Sequence, residues 1–187
     1  MRPVLIAYYS ATGACAEMAQ HIAKGVMLKG GRAVIRRIKP FGEEDITGPL
    51  YVTDEDLTSC GGMILGSPTR FGQVAACVRA FWDTTGELWY SGVMEGKPGA
   101  VFTSSSSLHG GQESTLLGMM MPMIHHGMLI MGIPYSEEAI HKTQSGGGPY
   151  GASSVTGKHY PGGMSEEEIA VCVALGKRMA LAVKKLG

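Results

Sequence analysis

The chain predicts a doubly wound α/β domain, a five-stranded parallel sheet with helices on both faces. Two observations carry this. Five short apolar runs of strand length alternate with segments whose apolar residues recur at helical spacing. The loops behind the first, third and fourth runs are all rich in Ser, Thr and Gly. In a parallel sheet those loops leave from one edge, where ligands bind near the reversal of strand order. At 187 residues the chain is long enough for a single domain, 1–187, with a sizeable core.

The first strand, Pro3–Tyr9, runs into Ser10-Ala-Thr-Gly-Ala-Cys15 and then a helix. Small and hydroxyl residues at such a turn let backbone N–H groups and side-chain hydroxyls converge on an anion at the positive helix end. An ordinary tight turn uses the same residues, so the repetition of the pattern in three loops is what argues for a phosphate-bearing cofactor. Ala14, Met18, Ala19, Ile22, Ala23, Val26 and Met27 form the helix's apolar stripe, and Gly30-Gly31 ends it. Arg32–Ile38 is rich in β-branched residues with Arg36 and Arg37 near its end, a strand nearer the sheet edge. Pro40–Thr53 lacks a period and reads as a surface connection, with a short helix near Asp54–Cys60.

Gly62–Gly66 is a compact strand leading into Ser67-Pro-Thr-Arg-Phe-Gly72 and a helix that carries Val74, Val78, Phe81 and Trp82 to about Thr85. Pro98–Phe102 repeats the arrangement, with Thr103–Ser107 behind it. Gly110-Gly-Gln-Glu113 opens a helix reaching His125-His126, in which Pro122 removes a donor and predicts a kink. Met128–Ile133 is the last strand, and Gly146–Gly157 reads as a loop. Ser165-Glu-Glu-Glu168 has capping-box spacing and opens a closing helix striped by Ile169, Val173, Leu175, Met179 and Val183.

Composition narrows the function classes. Sixteen basic residues balance sixteen acidic ones, so no global field draws the protein to nucleic acid or to a membrane. The start MRPVLIAYYS is apolar too briefly to span a bilayer and carries no cleavage site, which predicts a cytoplasmic protein. Four scattered cysteines lack disulfide or zinc spacing, and without Asn there is no N-glycosylation acceptor, so reduced thiols are expected. The 44% apolar content and Met119-Met-Met121 suggest surface buried by self-association. Several motifs are decoys. Gly146-Gly-Gly-Pro-Tyr-Gly151 has no strand feeding it, and Gly151–Lys158 has the wrong spacing for a nucleoside triphosphate loop, with His159 where a hydroxyl belongs. Adjacent His125 and His126 point about 100° apart on a helix and cannot share a metal. Ser107 and His109 lack a nucleophile elbow.

In order, Gly66-Ser-Pro-Thr-Arg-Phe-Gly72, Glu87-Leu-Trp-Tyr-Ser-Gly92, Gly110-Gly-Gln-Glu113, His125-His-Gly-Met128 and Gly148-Pro-Tyr-Gly151 resemble the WrbA-type NAD(P)H:quinone oxidoreductases across nearly the whole chain. The resemblance implies a flavodoxin-like three-layer sandwich with FMN. It implies that Ser10, Ala11, Thr12, Gly13, Ala14 and Cys15 hold the FMN phosphate. By the same likeness Pro68, Thr69, Arg70, Phe71 and Gly72 meet the flavin and ribityl from one side, and Ser104, Ser105, Ser106, Ser107 and Gly110 meet the ring edge from the other. Phe71, Trp89 and His125 are similar to the family's substrate box, His125 also touching the flavin and acting on the quinone, and the Trp resembles one supplied by a neighbouring subunit.

The activity so implied is two-electron quinone reduction by NAD(P)H. One slot serves both substrates in turn, hence ping-pong kinetics in a homo-oligomer, a tetramer or dimer. Read without the resemblance, Trp89 and Phe71 are core aromatics and His125 a helix-end group. A flavodoxin-type electron carrier and a flavin-free interaction module are the alternatives. Thr12 stands where the family commonly has an aromatic, Ala14 and Cys15 depart from its phosphate loop, and Ser104–Ser107 lacks its Thr-Gly pair.

Overall fold

β1 (Val4–Tyr8) lies with all five residues buried, which is why it is written as an unbroken apolar run. It pairs in parallel with β2 (Ala33–Arg37) on one side and β3 (Gly62–Pro68) on the other, and β3 pairs with β4 (Pro98–Ser105). The computed structural model describes residues 1–42, 51–157 and 162–187. Most of the connection expected over Pro40–Thr53, and Lys158 and His159 of the rejected nucleotide loop, fall outside the described residues. The sheet runs β2-β1-β3-β4 and then a fifth position, so strand order reverses between β1 and β3.

That fifth position is split. β5 (Leu129–Ile130) pairs with Pro98 and Gly99 at the start of β4, whereas β6 (Ala152–Val155) pairs with Phe102–Ser105 at its end. The expected strand Met128–Ile133 is therefore shorter than its apolar run, and the stretch expected to be loop supplies the missing half. Ala-Ser-Ser-Val has no strand signature of its own; pairing with a buried neighbour decides its conformation. The residues between include a short helix, α6 (Glu138–Lys142), which the sequence reading did not anticipate.

Helices cover both faces. α1 (Ala14–Leu28) and α7 (Glu166–Leu186) pack on Val4, Ile6, Tyr8, Ile64 and Phe102. α2 (Asp54–Ser59), α3 (Ala76–Asp83) and α5 (Gln112–His125) cover Leu5, Ala7, Met63, Leu65 and Val101. Successive strand residues alternate between these two cores, as the pleat requires. The helix expected to reach Thr85 ends at Asp83, and α4 (Gly86–Tyr90) follows, so Trp89 stands on a short helix and not in a loop. α5 continues three residues past Pro122, which removes one ladder bond without ending it. No described helix is long and apolar enough to cross a membrane.

Two packing features hold the layers. α1 and α7 touch backbone to backbone: a Cβ on Gly176 would lie 2.0 Å from the Ile22 carbonyl oxygen, and one on Gly25 2.1 Å from that of Val173. The buried carboxylate of Glu168 closes the split strand. Its Oε1 accepts from the Gly146 and Val155 N–H groups (2.9 and 2.8 Å), and its Oε2 from Ser154 Oγ and the Ser165 N–H (3.0 and 3.1 Å). The capping box seen in the sequence thus also fastens β6 and its approach.

Gly176→Ala is expected to cost about 3 kcal/mol, since backbone atoms cannot yield as a side chain could. Glu168→Ala leaves these donors buried without their acceptor and is expected to cost at least about 3 kcal/mol. Urea unfolding of each variant checks both.

Candidate active site

The three hydroxyl-rich loops leave the sheet at one edge. After β1, Gly13 takes the left-handed conformation (φ +97°) that starts α1, and its N–H donates to Ser10 Oγ at 3.1 Å. The N–H groups of Ala14, Cys15 and Ala16, in the first turn, have no carbonyl partner within the helix. Ala11, Thr12 and Gly13 are exposed above them. This is an anion-binding arrangement of helix end and hydroxyls.

After β3 the chain makes a tight turn. Arg70 and Gln73 exchange backbone hydrogen bonds at 2.7 and 3.0 Å around Phe71 and Gly72, both left-handed (φ +53° and +76°). An aromatic residue there is strained and persists only where its surroundings hold it. Ser114 Oγ donates to the Gly72 carbonyl at 2.8 Å. Gly111 lies so close that a Cβ on it would sit 2.6 Å from Gly72 Cα. Thr115 Oγ1 is 2.8 Å from Thr69 Oγ1. The result is a rigid turn with the Phe71 ring wholly exposed (104%) at its tip.

After β4, Ser105 Oγ and Gln112 Nε2 both donate to the Ser107 carbonyl (2.7 and 3.0 Å), shaping an exposed loop through Ser106 and His109. Thr156, just past β6, donates its N–H to the Ser105 carbonyl at 2.8 Å. Donor-rich helix end, aromatic turn and polar loop suit a ribityl phosphate and a flat polar-edged ring. Among the residues expected at that cofactor, Ser10 through Gly13, Thr69 through Gly72, Ser106, Ser107 and Gly110 are accessible. Pro68, Ser104, Ser105 and the side chains of Ala14 and Cys15 lie beneath the surface. Cys15 Sγ is 3.3 Å from Ser104 Oγ, and burial pushes its thiol up to about 12, so it is neutral. These buried members can offer only backbone groups or support.

His125 and Trp89 are elsewhere. α5 begins at the loop edge and ends at His125, and its 14 residues span about 20 Å, so His125 stands at the opposite edge, beside the start of β5. Trp89 Nε1 donates to the His125 carbonyl at 2.8 Å. Both line a groove of about 540 Å³ between α3 and α5 with Val78, Trp82, Met121 and His126. Within one chain the structure does not bring them to Phe71 or the phosphate loop.

His126, given no role from the sequence, is buried there. Thr85 Oγ1 donates to the Trp82 carbonyl at 2.8 Å and so accepts from His126 Nε2 at 3.0 Å, which fixes the tautomer. Burial and neighbouring His125 lower its pKa, keeping it neutral.

A family model described as NADPH-dependent FMN reductase matches residues 4–139. An NAD(P)H dehydrogenase (quinone) of Rhizobium rhizogenes is 39% identical over 197 aligned positions, covering 100% of this chain and 99% of that protein. The protein of the same description from Solidesulfovibrio magneticus is 36% identical over 199 positions, covering 98% of each. The chain belongs to the NAD(P)H dehydrogenase (quinone) family. A flavodoxin, WrbA-like protein from Agrobacterium tumefaciens shares the fold over 100% of both chains, with a TM-score of 0.74 at 19% identity. The reduced flavodoxin of Megasphaera elsdenii does so with a TM-score of 0.62 at 19% identity, over 95% of this chain and 98% of that one. Within this family fold the sequence reading missed the supports: Ser114, Thr115 and Gln112 on α5, and Thr156. For the three on α5, only polar character at the start of a helix behind a Gly-rich loop could have flagged them, and Thr156, just past β6, carries no such signal.

Gly111→Ala is expected to displace the Phe71 turn and weaken FMN binding at least about tenfold, read by flavin fluorescence. All four cysteines are free and pushed above the ordinary thiol value of 9.0 by burial. Their stabilisation is full below pH 9 and is lost as pH climbs through the folded-state values, because the unfolded chain ionises first. Urea midpoints should therefore fall between about pH 9 and about pH 12, less steeply in Cys172→Ala.

Proposed function

We propose that this chain is an FMN-dependent NAD(P)H:quinone oxidoreductase whose active site is completed by a second copy of itself. The observation that carries the reading is the convergence of three loops at the β1/β3 switch, in a chain whose relatives are quinone dehydrogenases. FMN, when bound, supplies two-electron transfer between NAD(P)H and quinone. The residues do the rest. Ser10, Thr12 and the first-turn N–H groups of α1 bind the phosphate. The Phe71 turn and the Ser106–Gly110 loop hold the ring from two sides, and the exposed Phe71 ring gives flat substrates an apolar wall.

Trp89 and His125 come from the second copy. Leu117, Met121 and Ile124 make the outward side of α5 apolar, and exposed Trp89 and Tyr90 continue it, a surface that association would bury. Set against a partner's flavin edge, Trp89 would stack on the entering ring and His125 would place a proton on the quinone oxygen as negative charge grows there. Both substrates use this slot in turn, so neither needs a separate site.

The purified protein is expected to be yellow, to oxidise NADH or NADPH only when a quinone is present, and to give parallel double-reciprocal lines. A yellow protein inert to both nucleotides that takes electrons from a reductase would show a carrier instead. Subunit mixing tests the shared site. Gly13→Val should lose FMN and His125→Ala should lose turnover by at least about tenfold. Co-refolded chains of the two kinds should regain activity, since one supplies the flavin edge and the other the imidazole. No regain would place His125 outside a shared site.

A further inference from the structure

We infer that the buried Cys15–Ser104 pair is a positioning latch for the flavin phosphate, tying the first turn of α1 to the end of β4. This rests on the assignment of the phosphate to the Ser10–Cys15 loop. Ser104 is 5% exposed and Cys15 1%, so neither side chain is presented to a ligand, and their contact, 3.3 Å between Sγ and Oγ, joins residues 89 positions apart. Ser104 is also the point where the other loops meet. Its carbonyl accepts the Thr69 N–H at 2.8 Å, at the start of the Phe71 turn, and it stands in register with Ser154 of β6.

Those two ties run through the Ser104 backbone, whereas the side-chain contact with Cys15 reaches only α1 and its phosphate turn. Cys15 sits at the second position of α1, so a pull on its side chain sets where the free N–H groups of Ala14 to Ala16 point. A phosphate needs those groups to converge within a few tenths of an ångström. A ring held by Phe71 and Ser106–Gly110 does not depend on them. Burial also keeps the thiol uncharged, so it does not repel the dianion above it. Loss of the latch should thus be felt by the phosphate and spared by the ring.

The test compares FMN with riboflavin, which lacks only the phosphate, in titrations of the full-length apoprotein followed by flavin fluorescence. Cys15→Ala and Ser104→Ala are each expected to weaken FMN by about three- to tenfold and riboflavin by less than about twofold. The double variant should be no weaker than either single one, and Cys15→Ser, which can still bond Ser104, should hold FMN within about threefold of the parent. Equal losses for both ligands, additive losses, or no loss would overturn the latch. If Cys15→Ala does not fold, Ser104→Ala and Cys15→Ser decide. Gly13→Val separates the two levels. If it erases the preference for FMN over riboflavin while the latch variants do nothing, the latch alone fails; if the preference survives it, the phosphate-loop assignment fails.

Discussion

Because β4 is paired on both sides along most of its length, with β3 on one side and β5 then β6 on the other, its exit is the best-anchored point of the carboxyl edge. The neighbouring loops take their positions from it. Thr69 is hydrogen-bonded to Ser104, Cys15 touches the same serine from α1, and Thr156 is bonded to Ser105. A parallel sheet leaves every strand pointing the same way, so loops that would be scattered in an antiparallel sheet are forced together. What the local sequence adds is small residues and hydroxyls that let those loops approach without filling the space between them.

The split fifth strand shows what that anchoring requires. A single short strand beside Pro98 and Gly99 would leave the C-terminal half of β4 with an open edge at the place where the three loops converge. The chain returns with Ala152–Val155 to close it, and Glu168 holds that return by accepting hydrogen bonds from the loop before β6, from β6 itself and from the cap of α7. A buried carboxylate with its lone pairs engaged is costly to remove and contributes little beyond a neutral core. Its value here is positional, since it fixes one helix start and one strand in a single register.

The fold was legible because its strands are buried on both faces and its helices are striped, so hydrophobic pattern alone marks both. The second half of the fifth position was not legible, since Ala-Ser-Ser-Val becomes a strand only through β4. The Ser10–Cys15 and Phe71 turns were legible as turns at the carboxyl edge, yet not as geometries: Ser104 and Cys15 have the residue types of ligand contacts and lie under the surface instead. Nor could spacing along the chain reveal that His125 and Ser107 lie near opposite ends of one helix. Only the direction of α5 relative to the sheet shows it.

That direction gives α5 an unusual composition with a physical reason. Its inward residues Leu116, Met119, Met120 and Met123 build the core, yet Leu117, Met121 and Ile124 on the other side are apolar too. A helix apolar all round is a buried helix, and within one chain this one is buried on one side only. Under the proposed reading the outward side meets a second copy, and the helix then serves two sites. Its N-terminal end braces the Phe71 turn of its own chain through Ser114 and Gly111, while its C-terminal end carries His125 and the bonded Trp89 toward the partner's. Methionine suits such a double role, because a flexible thioether can fill a core on one side and conform to an approaching surface on the other.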